Sequence, residues 1–147
     1  MPENIKLRVA CDADFAFART VYFETMRWII ERLFGWDEVR EDKNFAQFFK
    51  LDEVRIITAD DQDVGWIQEQ VEGSTLNIGS FYVTSKMQRC GIGTEVLQML
   101  FARARNQSKA ITLAVAKINP ALHFYEKHGF RITHEDKHKF YLRAEPR

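Results

Sequence analysis

The spacing of apolar positions changes character several times along the chain. "IKLRVA" (residues 5–10) alternates apolar with polar, the period of a half-buried strand, and "CDAD" then offers Asp12 or Asp14 as a helix N-cap. Ala18, Val21, Tyr22, Thr25, Met26, Ile29 and Leu33 follow at three- and four-residue steps, which predicts a long amphipathic helix stopped by Gly35. "WDEVREDKNFAQFFK" reads as a second, shorter helix. From Glu53 to Val83 the period drops to two: "EVRIITAD", "VGWIQEQVE" and "TLNIGSFYV", parted by "DDQD" and "EGS", predict three antiparallel strands in a meander.

Helical spacing returns with Val96, Leu97, Leu100, Phe101 and Ala104, and "AITLAVA" is apolar enough for a central strand. "NPALHFYEKHGF" opens on Asn119 as an N-cap followed by proline and closes at Gly129, the preferred helix stop. "RITHE" and "HKFYLRA" are two final strands. The order is β-α-α-β-β-β-α-β-α-β-β. No linker, repeat or low-complexity block interrupts it, so the expectation is one α/β domain spanning residues 1–147.

Composition narrows this little further. A chain of 147 residues that is 46% hydrophobic can bury one sizeable core. Lys plus Arg equals Asp plus Glu at 21 each, so no net field draws the protein to nucleic acid or an anionic membrane. "MPENIKLRVA" lacks the apolar run of a signal peptide, and no segment approaches the roughly 18 apolar residues of a membrane span. A cytoplasmic protein with no nucleic-acid and no membrane partner is expected. Cys11 and Cys90 suit neither a disulfide framework nor a zinc site, so two free thiols and no metal are expected.

The candidate chemistry begins at "QRCGIGTEVLQML" (88–100), where Gly91 and Gly93 precede a helical pattern. A helix start presents unpaired N–H groups and the positive end of the dipole, and glycines let an anion reach that backbone. Gln88, Arg89, Cys90, Gly91, Ile92, Gly93 and Thr94 can therefore cradle a phosphate or pyrophosphate, although two glycines before a helix also make an ordinary turn. GxxxxGK(S/T) is absent, and GxGxxG fails because Val96 and Leu97 stand where a third glycine belongs. Cys90 reads as a loop spacer rather than an activated nucleophile.

Strand "FYV", spacer "TSKM" and "QRCGIG" together resemble the acetyl-CoA motif of the GNAT superfamily of N-acetyltransferases, written Q/R-x-x-G-x-G/A. "NPALHFYEKHGF" downstream resembles that family's second signature, a short helix with asparagine, tyrosine and a terminal Gly-Phe. The element order is also the family's. The resemblance implies a three-layer fold with a mixed, mostly antiparallel central sheet and a splayed strand pair. It further implies transfer of the acetyl group of acetyl-CoA, the cosubstrate, to a primary amine of a small molecule or peptide, by direct attack in a ternary complex.

Residue by residue, the resemblance places the pyrophosphate on the loop from Gln88 to Thr94 and the pantetheine arm along Phe81, Tyr82 and Val83. Gly79 becomes a candidate strand bulge. Asn119 would contact the pantetheine arm, cap its helix, or do both. Tyr125 would be the acid that protonates the departing thiolate, against the alternative of a core aromatic. Phe124 and Phe130 read as core. A backbone N–H near Val83 would face the oxyanion.

The base is not evident, because "TLNIGSFYV" lacks the carboxylate that many members carry. Glu24, Glu69 and Glu72 are candidates, each also readable as a solvated surface charge; His123 and His128 read as surface or capping residues. Trp28, Phe34, Trp36, Phe45, Phe48 and Phe49 gather on the expected acceptor side, most of them expected in the core and some lining an acceptor pocket, where Asp37, Glu38, Glu41 and Asp42 would attract a cationic amine. A homodimer through the terminal strands or helices fits this reading. The competing reading is a non-catalytic CoA-binding module of the same fold.

Overall fold

The computed structural model describes residues 2–147. Seven strands and four helices follow one another as β1 (Ile5–Val9), α1 (Phe15–Phe34), α2 (Glu38–Phe48), β2 (Val54–Ala59), β3 (Gln62–Glu72), β4 (Thr75–Val83), α3 (Ile92–Asn106), β5 (Ala110–Ala116), α4 (Ala121–Lys127), β6 (Arg131–Glu135) and β7 (Lys139–Ala144). Short 3-10 turns occupy Asp12–Asp14, Leu51–Glu53 and Ser85–Met87. The strands are hydrogen-bonded in the order β1-β2-β3-β4-β5-β7-β6. β4 and β5 are the parallel pair, whereas β1–β2, β2–β3, β5–β7 and β6–β7 are antiparallel. This is the mixed, mostly antiparallel sheet expected. Among the described residues no helix is long and apolar enough to cross a membrane.

The residues cluster into two units, one of residues up to Gln68 with Ser80–Gln98, the other of Glu69–Gly79 with Met99–Arg147. The first is built on aromatics. Trp66 of β3 is fully buried and donates its indole N–H to the Ala18 carbonyl of α1 at 3.0 Å, satisfying the polar atom that a buried tryptophan brings with it. Phe45 of α2, 1% exposed, packs against Tyr22, Phe48, Phe49 and Trp66 with ring centroids 5.2–5.9 Å apart.

The second unit is aliphatic at its centre. Leu100 and Ala104 of α3, Ile111 and Leu113 of β5, and Leu142 of β7 are all buried, and Phe101 meets Phe130 at 5.6 Å. The strand β5, buried at alternate positions and paired on both sides, is central as its composition predicted.

Helix ends deviate slightly from the expected caps. Asp14 does not cap α1; its carboxylate takes the Cys11 N–H at 2.8 Å and two Arg8 nitrogens at 2.7 and 2.9 Å. Arg8 holds the Asp14 pKa down at about 2. Gly35 (φ +75°) closes α1 and Asp37 caps α2, accepting from the Arg40 N–H at 3.0 Å.

Candidate functional site

In the first unit the end of β4 runs into the glycine loop. β4 pairs with β5 only from Thr75↔Ala110 to Ile78↔Leu113, yet it continues to Val83. Gly79 is the first residue past that pairing. Phe81, Tyr82 and Val83 therefore belong to the stretch released from β5, and all three are half-buried.

Neighbouring groups hold this stretch. The Thr84 N–H donates to the Val64 carbonyl of β3 at 2.8 Å, and a Cβ on Gly65 would collide with the Tyr82 carbonyl and lie 3.0 Å from the Val83 Cα. Gly65 is thus bare because β4 approaches too closely for a side chain, a requirement that alternating hydropathy does not reveal. Tyr82 also meets Tyr22 and Trp66 at centroid distances of 5.5 and 5.4 Å.

The loop backbone is left-handed at two positions. Arg89 (φ +61°) and Gly91 (φ +85°) both occupy the left-handed region, which turns successive N–H groups toward one side. The first helix-closing bond of α3 runs from the Glu95 N–H to the Gly91 carbonyl at 3.1 Å, so the N–H groups of Ile92, Gly93 and Thr94 precede it and have no place in the helical ladder. The Arg89 side chain is exposed beside them. Gln88 turns its Nε2 back to the Val83 carbonyl at 3.0 Å, closing the loop onto β4. The Cys90 thiol contacts the Gln88 carbonyl at 3.6 Å. At the junction, the Thr84 hydroxyl oxygen is buried without a partner among the described residues, which offers a polar ligand one more hydrogen-bonding group. These features fit a diphosphate carried on an extended polar arm.

In the second unit, Asn119 Oδ1 accepts the Ala121 N–H at 2.9 Å, so the side chain caps α4 while its Nδ2 remains available to donate. Tyr125, 8% exposed, packs edge-on against Phe124 and Phe130 at 5.4 and 5.6 Å. Burial pushes its phenol above the ordinary tyrosine range. Among the described residues none hydrogen-bonds to its hydroxyl. His128 Nδ1 contacts the Phe124 carbonyl at 2.8 Å within the same short helix, and His123 is exposed.

The carboxylate candidates separate. Glu24 Oε1 accepts the Ser85 N–H at 2.5 Å, and the Ser85 hydroxyl, that backbone bond and nearby Lys86 lower its pKa. Glu69 is not a solvated surface charge: its side chain is 9% exposed and bound to Arg103 at 2.6 Å, with the second oxygen buried and unpartnered. Glu72 is exposed at the end of β3.

The four acidic residues of the α1–α2 region do not form a free acidic patch. Asp37 caps its helix, Glu38 binds the Trp36 indole at 2.5 Å, Asp42 pairs with Arg19 at 2.6 Å, and buried Glu41 pairs with Arg40 at 2.8 Å. Phe45 is core and Phe48, Phe49 and Trp36 are half-buried, whereas Trp28 and Phe34 remain exposed. Tyr22, which hydropathy marked as core, packs its ring against Phe45, Phe48 and Tyr82. Burial, reinforced by the Glu41 charge, pushes its phenol up to about 12.

Comparison with known proteins completes the picture. No curated protein matches the sequence. Among solved structures the chain is similar to PaiA N-acetyltransferase from Thermoplasma acidophilum in complex with coenzyme A, at TM-score 0.80 and 17% identity over 97% of this chain and 99% of that one. It is also similar to an acetyltransferase from Thermus thermophilus (TM-score 0.77, 15% identity, 99% of each chain). A third likeness is to a ribosomal-protein alanine N-acetyltransferase from Escherichia coli (TM-score 0.71, 16% identity, 97% of this chain and 94% of that one). At these identities the likeness is one of fold. The model of the acetyltransferase (GNAT) domain matches residues 50–132, more than half of the chain and the whole stretch from β2 to α4. The chain therefore belongs to the GNAT acetyltransferase family, and it is an acyltransferase that uses acetyl-CoA as cosubstrate.

Proposed function

We propose that residues 1–147 form one N-acetyltransferase domain that acetylates a primary amine of a small molecule or peptide, with Tyr125 as the acid and the loop from Gln88 to Thr94 as the pyrophosphate site. The observation that carries this reading is the release of β4 from β5 after Ile78, directly ahead of a loop whose Arg89 and Gly91 are left-handed. Phe81, Tyr82 and Val83 then present a strand edge to which the pantetheine arm adds as an extended peptide would. Arg89, Cys90, Gly91, Ile92, Gly93 and Thr94 offer backbone N–H groups to the diphosphate, and Gln88 secures the loop through its amide. Asn119 donates from Nδ2 while Oδ1 caps α4.

When bound, acetyl-CoA supplies an activated acetyl thioester. A backbone N–H near Val83 faces the oxyanion that develops on the carbonyl oxygen as the amine attacks the carbonyl carbon. Tyr125 holds a proton on its hydroxyl that passes to the departing sulfur, and its raised pKa keeps that proton in place at neutral pH. Amine deprotonation goes to water or to the substrate's own equilibrium, since Glu24 and Glu69 already spend their carboxylates on Ser85 and Arg103. The acceptor enters over α1 and α2, where Phe15, Trp28 and Phe34 are the exposed aromatics. A peptide acceptor draws support from the ribosomal-protein N-acetyltransferase among the structural neighbours. A cytoplasmic location and a homodimer complete the proposal.

The test is a thiol-release assay with acetyl-CoA against a panel of amines, polyamines, amino acids and N-terminal peptides. Acceptor-dependent CoA release with an acetylated amine by mass spectrometry is expected; acetyl transfer to a hydroxyl acceptor alone would overturn the amine assignment.

A further inference from the structure

We propose that Glu24 is a positioning residue for the glycine loop: from α1 it fixes the turn on which the loop begins, and so sets the affinity for acetyl-CoA. The inference rests on the reading of residues 88–94 as the pyrophosphate cradle. Its geometric basis is the hydrogen bond from the Ser85 N–H to Glu24 Oε1 at 2.5 Å, made between residues 61 positions apart. The other bonds of this segment are local to the β3–β4–loop region. Thr84 donates to Val64 at 2.8 Å, Met87 to Thr84 at 2.9 Å, and Gln88 Nε2 to Val83 at 3.0 Å. The Glu24 bond alone among these comes from a helix.

A carboxylate accepting a backbone N–H makes a charge-assisted bond, stronger than a neutral one. The Ser85 hydroxyl is a second donor to the same carboxylate, and Lys86, on the same turn, is the charged residue that acts on it. With these partners in place Glu24 favours its anionic form, which suits an anchor. A general base would instead need a free lone pair and a pKa near the working pH.

The loop that follows holds Arg89 in the left-handed region, a conformation that a non-glycine residue keeps only when its surroundings enforce it. Releasing the turn from α1 lets that loop relax. The ordering cost then falls on ligand binding, and affinity drops without any change in the reacting groups.

Isothermal titration with CoA on the full chain tests this, using Glu24→Ala, Glu24→Gln, Ser85→Pro and the Glu24→Ala/Ser85→Pro double variant. Proline is compatible with position 85, because Thr84 lies at φ −54°, ψ 146° and Ser85 opens a 3-10 turn. It removes both the N–H and the hydroxyl that Glu24 accepts.

Glu24→Ala and Ser85→Pro should each weaken CoA binding about five- to tenfold, and the double variant no further than either. Glu24→Gln, which keeps an acceptor oxygen, should recover most of the loss, while kcat at saturating acetyl-CoA stays within about twofold of wild type. Unchanged CoA affinity in Glu24→Ala, beside normal wild-type binding, overturns the inference alone. So does a fall in kcat with CoA affinity intact, which makes Glu24 a base. A wild-type chain that fails to bind CoA overturns the loop reading and the inference with it.

Discussion

The two stretches that carry the proposed chemistry are held in opposite ways. The loop at residues 88–94 and the turn before it are stitched by polar contacts, with Gln88 on the Val83 carbonyl and Glu24 on the Ser85 N–H, and Gln88 and Arg89 face solvent. The α4 segment is held by apolar packing, with Tyr125 among Phe124 and Phe130 and Phe130 against Phe101. An anion site must keep N–H groups unspent, which only an open, left-handed backbone achieves. An acid must keep its proton, and burial does that by penalising the phenolate. The loop should govern affinity and the helix turnover.

The largest expected effect tests the helix. Tyr125→Phe keeps the ring packing and removes the proton, so kcat should fall about a hundredfold or more while KM for acetyl-CoA barely moves. Steady-state kinetics with an acceptor identified by the panel would show it, and full turnover would remove Tyr125 as the acid.

Next in size is Gly65→Ala, which forces the backbone of β4 away at Tyr82 and should cost about 1–3 kcal/mol in thermal or urea unfolding. CoA affinity should drop with it, because the displaced strand is the one proposed to meet the pantetheine arm. A Gly65→Ala protein with wild-type stability would mean that β3 and β4 part easily.

Gly91→Ala touches the loop alone. At φ +85° an alanine is strained by about 1 kcal/mol, so KM for acetyl-CoA should rise roughly fivefold with kcat unchanged. A matching fall in kcat would erase the proposed division between the two regions.

The smallest effect is on pH. Because burial raises the Tyr125 pKa, the unfolded chain loses this proton first as pH climbs past about 10. Stability from this group is therefore full below that pH and declines above it. Unfolding titrations at pH 9 and 11 should show a steeper loss in wild type than in Tyr125→Phe, and equal slopes would argue that the hydroxyl is not buried.

Much of the fold was legible in the sequence because periodicity is a local signal. The β2, β3 and β4 meander, the central β5, and the glycine stops after α1 and α4 all follow from spacing and caps. What was not legible depends on partners distant in the chain. Hydropathy could not show that Asp14 would turn to Arg8 rather than cap α1, nor that Glu69 would meet Arg103. The acidic run from Asp37 to Asp42 looked available for a substrate, yet its charges are matched by Arg19, Arg40, an indole and a helix end. Gly65 gave no local sign at all, since its constraint is a carbonyl from the next strand.

The early release of β4 also bears on how the chain behaves when its ligand is scarce. From Gly79 to Val83 the strand reads "GSFYV", with neither the charge nor the proline that proteins use to blunt exposed edges. A ligand lying along that edge acts as its cover. On the proposed placement of the pantetheine arm, the free chain should therefore self-associate more readily than the CoA-bound one, which light scattering with and without CoA would show.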